Sequence, residues 1–172
     1  MGVTIQPLAR THDRSAFSCG QADLDAWFKR QAGQDERRNV ARVFLAVDDD
    51  LGTVGFYSLG AFSLALTDLP PALAHQLPRY EAIPAALIGR LARDVRVRSQ
   101  GMGDLLMADA VARVLEAGTR LGIFAILVDA KDAHAAAFYQ AFGFQTFPSR
   151  PDRMFLLTAT AWTAMARLQA PP

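Results

Sequence analysis

The chain has 172 residues, of which 51% are hydrophobic, and its formal net charge of +1 excludes a uniformly basic protein. This length predicts one compact domain, residues 1–172, with a sizeable core. The single cysteine, Cys19, excludes an internal disulfide, and no apolar run reaches the ~20 residues that span a bilayer. We therefore expect a cytoplasmic protein with no membrane partner.

The first half of the chain predicts a helix followed by a β-hairpin. Apolar residues recur at helical spacing around Trp27, Asp23 is a candidate cap, and Asp49–Asp50 with Gly52 predicts a turn between two apolar runs. Several prolines then predict an irregular stretch with one short helix. The predicted elements are a helix over 20–38, strands over 40–50 and 53–66, and a helix over 72–76.

The second half predicts a parallel βαβ unit within a mixed sheet, because strand and helix patterns alternate there. Asp132 is the expected cap of the second helix, and Gly118 and Gly143 are the expected helix ends. A nearly continuous apolar run at 123–130 is typical of a strand buried on both faces. The predicted elements are strands over 85–97, 123–130, 144–147 and 153–160, and helices over 104–118 and 133–142. The apolar stripe predicted for the first of these helices consists of Leu105, Ala108, Ala112 and Leu115.

Two glycines, Gly101 and Gly103, stand where a strand is expected to stop and a helix to start. The first N–H groups of a helix have no intrahelical acceptor, and the helix dipole favours an anion beside them. Glycine lets an anion approach the backbone, and the guanidinium of Arg98 suits a phosphate oxygen. The pattern therefore suits a pyrophosphate, with a plain strand-to-helix turn as the alternative. Leu106 occupies the third glycine position of a dinucleotide-binding G-x-G-x-x-G motif, which argues against a nicotinamide site.

The motif R-x-x-G-x-G, from Arg98 to Gly103, resembles the acetyl-coenzyme A signature of the GNAT superfamily of N-acetyltransferases. The segment AAAFYQAFGF at 135–144 resembles the other recurring element of that superfamily, a helix with an aromatic pair that closes with G-F. The resemblance extends over residues 40–158. It implies an α/β (α+β) GNAT fold, in which helices flank a twisted, mostly antiparallel mixed sheet with a central splayed pair of parallel strands.

The resemblance also implies an N-acetyltransferase with acetyl-coenzyme A as co-substrate and no metal. The pantetheine arm would pair with the backbone of 94–97, an N–H near Val95 would polarise the acetyl carbonyl, and the pyrophosphate would lie on the amides of 100–104. Tyr139 is the expected catalytic acid for the departing thiolate. The predicted cofactor-binding residues are Asp94, Val95, Arg96, Val97, Arg98, Gln100, Gly101, Met102, Gly103, Asp104, Leu105 and Phe138.

An α-amine with a pKa of ~7.7–8.0 is substantially neutral near pH 8, whereas a lysine with a pKa of ~10.4 needs a general base to deprotonate it. The sequence places no obvious general base, although Glu81 and Asp94 are possible candidates. The S-C-G opening near Cys19, the G-F-Y-S-L strand at 55–59 and the I-G-R-L-A run at 88–92 resemble the acetyltransferase toxins of type II toxin–antitoxin modules. The resemblance implies acetylation of the α-amine of aminoacyl-tRNA, a block of translation, a ribbon-helix-helix antitoxin and a homodimer. Arg93 departs from the L-A-V-D run of that family.

Two groups of basic residues, the first between residues 29 and 42 and the second between residues 90 and 98, are candidates for contacts with the phosphates of a tRNA acceptor stem. A salt-bridged helix face is an equally good interpretation of the first group, because acidic residues lie among its members. The predicted substrate-binding residues are Arg37, Arg38, Arg42, Arg90 and Arg93.

Two alternatives stay open from the sequence. One is a GNAT enzyme that acetylates a small amine or a protein N-terminus without toxicity. The other is a binding module that senses an acyl-coenzyme A without turning it over.

We expect Gly101→Glu to abolish binding of acetyl-coenzyme A, because the added carboxylate would meet the diphosphate at the backbone amides. Isothermal titration of the folded variant measures the affinity. An affinity equal to that of the wild type would refute this placement of the diphosphate.

Overall fold

A computed structural model of the chain describes residues 2–169. Within this range the strands are β1 Val3–Pro7, β2 Arg42–Asp48, β3 Gly52–Ala65, β4 Ala82–Arg93, β5 Ala125–Asp129, β6 Gln145–Phe147 and β7 Arg150–Leu157. The α-helices are α1 Ala22–Ala26, α2 Ala32–Arg37, α3 Pro71–Ala74, α4 Met102–Ala117, α5 Ala133–Ala141 and α6 Thr158–Gln169. A π-helical segment, Trp27–Gln31, joins α1 to α2, and short 3₁₀ turns cover Leu66–Asp68 and Val95–Val97. No helix among residues 2–169 is long and apolar enough to cross a membrane.

The strands form one sheet in the order β1-β2-β3-β4-β5-β7-β6. The pairs β1–β2, β2–β3, β5–β7 and β6–β7 are antiparallel, and the sheet contains one parallel pair. Strands β4 and β5 are neighbours, and α4 is the helix that joins them along the chain. The predicted fold class, a mostly antiparallel mixed sheet flanked by helices, is confirmed.

The chain divides into two compact units, Met1–Gly60 with Ile88–Ala110, and Ala61–Leu87 with Val111–Pro172. The core of the first unit is aromatic: the ring of Phe28 stacks on that of Phe56 at 4.0 Å, and Phe17 meets Phe28 edge-on at 4.9 Å. Such pairs add to the free energy of apolar burial.

The core of the second unit forms around β5, whose residues Ala125 to Val128 are fully buried. The rings of Phe147 and Phe155 lie 4.8 Å apart in the same core, which also includes Leu64 and Ile83. The continuous apolar run of β5 therefore reports burial on both faces, as predicted.

The helix predicted over 20–38 is present, but its start differs. Gln21 occupies the N-cap position without a side-chain cap bond, and Asp23 lies in the first turn. The cap predicted for α5 is confirmed, since Oδ1 of Asp132 accepts a hydrogen bond from the N–H of Ala135 at 2.7 Å. Gly143, with φ of +101°, follows the end of that helix in the left-handed region that favours glycine.

Two expectations from the sequence are wrong. The strand predicted over 85–97 ends at Arg93, because the carboxylate of Asp94 accepts the N–H of Arg96 and turns the chain into a 3₁₀ turn. The stripe predicted for α4 is not its buried face, since Leu105 is 41% exposed and only Leu115 of the stripe is fully buried. The buried residues of α4 are Met102, Leu106, Met107, Ala110, Val111, Val114 and Leu115. Strand β1 and helix α6 were not predicted from the sequence.

Gly55 of β3 lies close to α4. A Cβ atom built at Gly55 would stand 3.0 Å from Cδ1 of Leu106 and 3.4 Å from the carbonyl oxygen of Ala92. The absence of a side chain at this position therefore lets α4 pack directly on β3.

We expect Gly55→Val to lower the free energy of unfolding by about 1–3 kcal/mol, because its methyl groups would overpack this contact. Urea unfolding measures the change. The control is Gly122→Val, where an added Cβ meets no atom closer than 4.0 Å and where we expect a change within about 0.5 kcal/mol. Equal stability of the two variants would contradict the close approach.

Candidate active site

The N-terminus of α4 presents backbone donors that the protein leaves unused. The N–H of Leu105 donates to the carbonyl of Gly101 at 3.0 Å, which closes the first turn of the helix. Within residues 2–169, no acceptor is present for the N–H groups of Met102, Gly103 and Asp104. Three adjacent donors at the positive end of a 16-residue helix form an arrangement that binds phosphates.

The loop before α4 reaches this geometry through left-handed backbone conformations. Gly101 has φ of +76°, and an added Cβ atom there would meet nothing within 4 Å. Ser99 has φ of +61°, which is uncommon for a residue with a side chain. The side chains of Arg98 and Gln100 are exposed beside them. The open space at Gly101 leaves room for a bound group against the backbone.

A buried carboxylate anchors the segment that leads into this loop. Asp94 is 1% exposed and accepts the N–H of Ser18 at 3.1 Å, the N–H of Arg96 at 2.8 Å, and Nε and Nη2 of Arg96, each at 2.9 Å. Burial alone would raise the pKa of Asp94, but the hydrogen bonds from Arg96 and Ser18 outweigh it and hold that pKa below its ordinary value. The guanidinium of Arg96 also donates to the carbonyls of Leu51 and Thr53. Asp94 is therefore an ionised structural anchor, and its burial and its occupied oxygens make it a poor candidate for the base of the acceptor amine.

The backbone donors of this anchored segment are already in use. The N–H of Asp94 donates to Val54, that of Val95 to the carbonyl of Ser18, and that of Val97 to Asp94. The N–H of Val95 itself bonds to the carbonyl of Ser18 at 2.8 Å, so a donor near Val95 that polarises an acetyl carbonyl would have to be another group. The sequence missed Ser18 because nothing in the motif points to a loop 76 residues away along the chain.

Tyr139, in the second unit, has a half-buried ring and an unbonded hydroxyl. Its ring packs against Phe138 at 5.5 Å and Phe144 at 5.8 Å. No hydrogen-bond partner of the hydroxyl is present in residues 2–169, and the oxygen is not sealed from solvent. Burial, with the negative charges of Asp129 and Asp132, raises the pKa of Tyr139, so the phenol keeps its proton throughout the neutral range. Phe138 lies half-buried beside it.

The carboxylate of Asp129, at the end of β5, is paired with an arginine of the neighbouring strand. Nε of Arg153 donates to Oδ1 at 2.7 Å and Nη2 to Oδ2 at 3.1 Å, and the guanidinium lies 4.7 Å from the ring centroid of Phe62. This bidentate pair fixes the position of the Asp129 carboxylate at the end of β5.

The basic residues predicted to bind substrate differ in how far the protein already uses them. Arg42 donates to the carboxylate of Glu36 at 3.2 Å and to Oδ1 of Asn39 at 2.7 Å, so the structure supports the salt-bridge interpretation for Arg42. Within residues 2–169, no hydrogen-bond acceptor is present for the guanidinium groups of the other four, Arg37, Arg38, Arg90 and Arg93. Arg90 is instead held by a ring, because its Cζ atom lies 4.1 Å from the ring centroid of Trp27.

No group of three or more His, Cys, Asp or Glu side chains in the described part of the chain could hold a metal ion.

Comparison with known proteins gives relatives over almost the whole chain. The chain is 36% identical over 170 residues to a probable toxin TacT of Sinorhizobium fredii (strain NBRC 101917 / NGR234), with 94% of each protein covered. It is 34% identical over 149 residues to a tRNA-acetylating toxin of Mycobacterium tuberculosis (strain ATCC 25618 / H37Rv), with 87% of this chain and 88% of that protein covered. No protein-family model matches the chain.

Solved structures share the fold. AtaT complexed with acetyl-methionyl-tRNAfMet superposes with a TM-score of 0.88 at 25% identity, over 95% of this chain and 99% of that one. AtaTR bound with AcCoA superposes with a TM-score of 0.82 at 25% identity, over 95% of this chain and 98% of that one.

We expect Asp94→Asn to lower the free energy of unfolding at pH 7 by about 2–3 kcal/mol. Removal of one partner of a fully buried ion pair lowers the stability of a protein by ~3–5 kcal/mol. The expected loss is smaller here because 34% of the Arg96 side chain is exposed. The pKa of Asp94 is lower in the folded protein than in the unfolded chain, so its contribution is complete above ~3.9 and is lost as the pH falls through the folded value.

The difference between wild type and variant should therefore shrink progressively below about pH 4, as measured by urea unfolding across a pH series. Asp50→Asn, at an exposed turn position, is the control and should change little. A difference that stays constant as the pH falls would show that folding does not lower the pKa of Asp94.

Proposed function

We propose that this chain, which belongs to the GNAT-type acetyltransferase toxins of toxin–antitoxin modules, acetylates the α-amine of an aminoacyl-tRNA and thereby blocks translation. The observation that carries the proposal is the set of unbonded amides at the start of α4, which suits the diphosphate of coenzyme A. The acceptor is inferred from the tRNA-acetylating toxin that is 34% identical to this chain. A small amine or a protein N-terminus is the competing acceptor.

We assign the diphosphate to the N–H groups of residues 100–104, with Arg98 as the cation that meets its oxygens. Met102 and Leu105 would line this turn, and Phe138 would contact the pantetheine arm. Within the predicted set, Asp94 to Val97 would act by fixing the path of the loop, since their hydrogen bonds are made inside the protein. The group that polarises the acetyl carbonyl is then a donor other than the N–H of Val95.

Tyr139 is the proposed catalytic acid. The amine nitrogen attacks the thioester carbonyl carbon and loses a proton to solvent, the carbon–sulfur bond breaks, and the departing thiolate takes the proton of the Tyr139 hydroxyl. The resulting phenolate then regains a proton from solvent, which restores the phenol for the next turnover. A phenol whose pKa is raised by burial and by Asp129 and Asp132 is protonated at every physiological pH. The hydroxyl has no acceptor among residues 2–169, so no hydrogen bond must break before it donates.

The acceptor amine explains why no dedicated base is needed. The α-amine of an amino acid that is esterified to tRNA is less basic than the side-chain amine of lysine. Even a free α-amine has a pKa of only about 7.7–8.0. Arg37, Arg38, Arg90 and Arg93, whose donors the protein leaves free, are the proposed contacts for the RNA phosphates. Arg42 is excluded from this set because Glu36 and Asn39 occupy it.

Three further properties belong to the same proposal: a ribbon-helix-helix antitoxin as partner, a homodimer as the working form, and the cytoplasm as the site of action. They rest on membership of the toxin family.

Incubation of the protein with labelled acetyl-coenzyme A and aminoacylated bulk tRNA tests the acceptor. We expect label on the tRNA that ribonuclease releases as an N-acetyl-aminoacyl nucleoside and mild alkali releases as an N-acetyl amino acid, with none on deacylated tRNA. Label that enters only free polyamines or peptides would support the competing acceptor, and tight binding without turnover on any amine would contradict catalysis.

We expect Tyr139→Phe to lower kcat by about 10²–10⁴-fold, the usual contribution of a general acid, with little change in the affinity for acetyl-coenzyme A. Steady-state kinetics with charged tRNA and a binding titration measure the two quantities. Tyr80→Phe, at a tyrosine that is 65% exposed, is the matched control and should keep wild-type kcat. A Tyr139→Phe enzyme within threefold of wild-type kcat would remove the phenol from the mechanism.

A further inference from the structure

We propose that Trp27 and Asp35 preorganise Arg90 as the main RNA-phosphate contact of this enzyme, so that Trp27 is a positioning residue for substrate binding. The inference rests on the proposed function, since it takes RNA as the substrate. The contact of its guanidinium with an aromatic ring, and not charge alone, distinguishes Arg90 from the other basic residues.

The guanidinium of Arg90 is held in place by an aromatic ring. Its Cζ atom lies 4.1 Å from the ring centroid of Trp27, and the ring itself packs against Phe56 at 5.9 Å with an interplanar angle of 29°. Trp27 is 9% exposed, so the ring that supports Arg90 is fixed in the core of its unit. A cation over a desolvated indole is attracted by the ring quadrupole.

Asp35 fixes the orientation of that ring. The indole Nε1–H of Trp27 donates to Oδ2 of Asp35 at 3.0 Å, and the amide of Gln31 donates to Oδ1 at 3.1 Å. The hydrogen bond from Gln31, with that from Trp27, holds the pKa of Asp35 below its ordinary value, so the carboxylate stays charged. Its charge also opposes the effect of burial on the pKa of Arg90.

Stacking leaves the donors of Arg90 available. The N–H bonds of a guanidinium lie in its plane and the stacked ring occupies only a face, so a phosphate can still receive two parallel hydrogen bonds at an edge. No hydrogen-bond acceptor for Arg90 is present in residues 2–169. A side chain that is already ordered before binding loses less conformational freedom when it binds.

Five other arginines among residues 2–169 lack this combination. Arg14 lies 5.5 Å from the ring centroid of Phe28 but donates to the Phe28 carbonyl, and Arg153 stacks on Phe62 while it binds Asp129. Arg37, Arg38 and Arg93 have free donors, but no aromatic ring within residues 2–169 lies over their guanidinium groups to order them. Arg90 is therefore both ordered and unoccupied.

The test is the salt dependence of binding to bulk aminoacylated tRNA for Arg90→Gln, Arg90→Lys and Trp27→Leu. We expect Arg90→Gln to weaken binding about tenfold at moderate salt and to reduce the slope of log Kd against log salt by about 0.7–0.9, the value for one phosphate contact. Arg90→Lys should keep the slope, because the charge remains, but weaken binding severalfold because the fork and the stacking are lost. Trp27→Leu should weaken binding in the same way as Arg90→Lys, since it removes the support and leaves the charge.

Arg42→Gln is the matched control, because it removes the same charge from a guanidinium that Glu36 and Asn39 already occupy, and we expect the wild-type slope. Thermal melting and acetyl-coenzyme A affinity confirm that each variant is folded, and Arg90→Lys carries the test if Trp27→Leu does not fold. A wild-type slope and affinity for Arg90→Gln, or equal losses for Arg90→Gln and Arg42→Gln, would overturn the inference. Failure of the wild-type protein to bind tRNA at all would instead overturn the proposed function.

Discussion

Unbonded backbone amides at the start of α4 are the feature on which the rest of the site depends. A buried or half-buried N–H must find an acceptor in the protein, in water or in a ligand, and the protein supplies none for Met102, Gly103 and Asp104 among residues 2–169. In the segment that precedes α4, by contrast, almost every polar atom of Asp94 and Arg96 already makes a hydrogen bond within the protein. A helix N-terminus that has free N–H donors and follows a rigid segment is a preorganised anion site.

The same distinction between used and unused groups organises the rest of the chemistry. Arg42 and Arg96 form ion pairs with carboxylates of the protein and contribute to its stability. The hydroxyl of Tyr139 and the guanidinium of Arg90 are half-buried, ordered by aromatic contacts and unbonded within the described residues. Groups that are ordered but not satisfied are those that a substrate can engage at low entropic cost.

The sequence predicts the fold well where a pattern is local. The apolar run of β5, the Asp132 cap and the helix after Gly101 follow from spacing alone, and the glycine turn with its arginine predicts the anion site. The sequence could not reveal the hydrogen bonds of Asp94, because its partner Ser18 is distant along the chain, nor the stacking of Arg90 on Trp27. The buried face of α4 was missed because apolar residues recur at helical spacing on more than one of its faces.

The anion site at the start of α4 is tested most directly by the amide chemical shifts of Met102, Gly103 and Asp104 during titration with coenzyme A and with pantetheine, which lacks the diphosphate. Our prediction is large shifts of these three amides with coenzyme A and small ones with pantetheine, because the diphosphate is the group that accepts their hydrogen bonds. Equal shifts with the two ligands, or amides that do not respond to coenzyme A while it binds elsewhere, would contradict it.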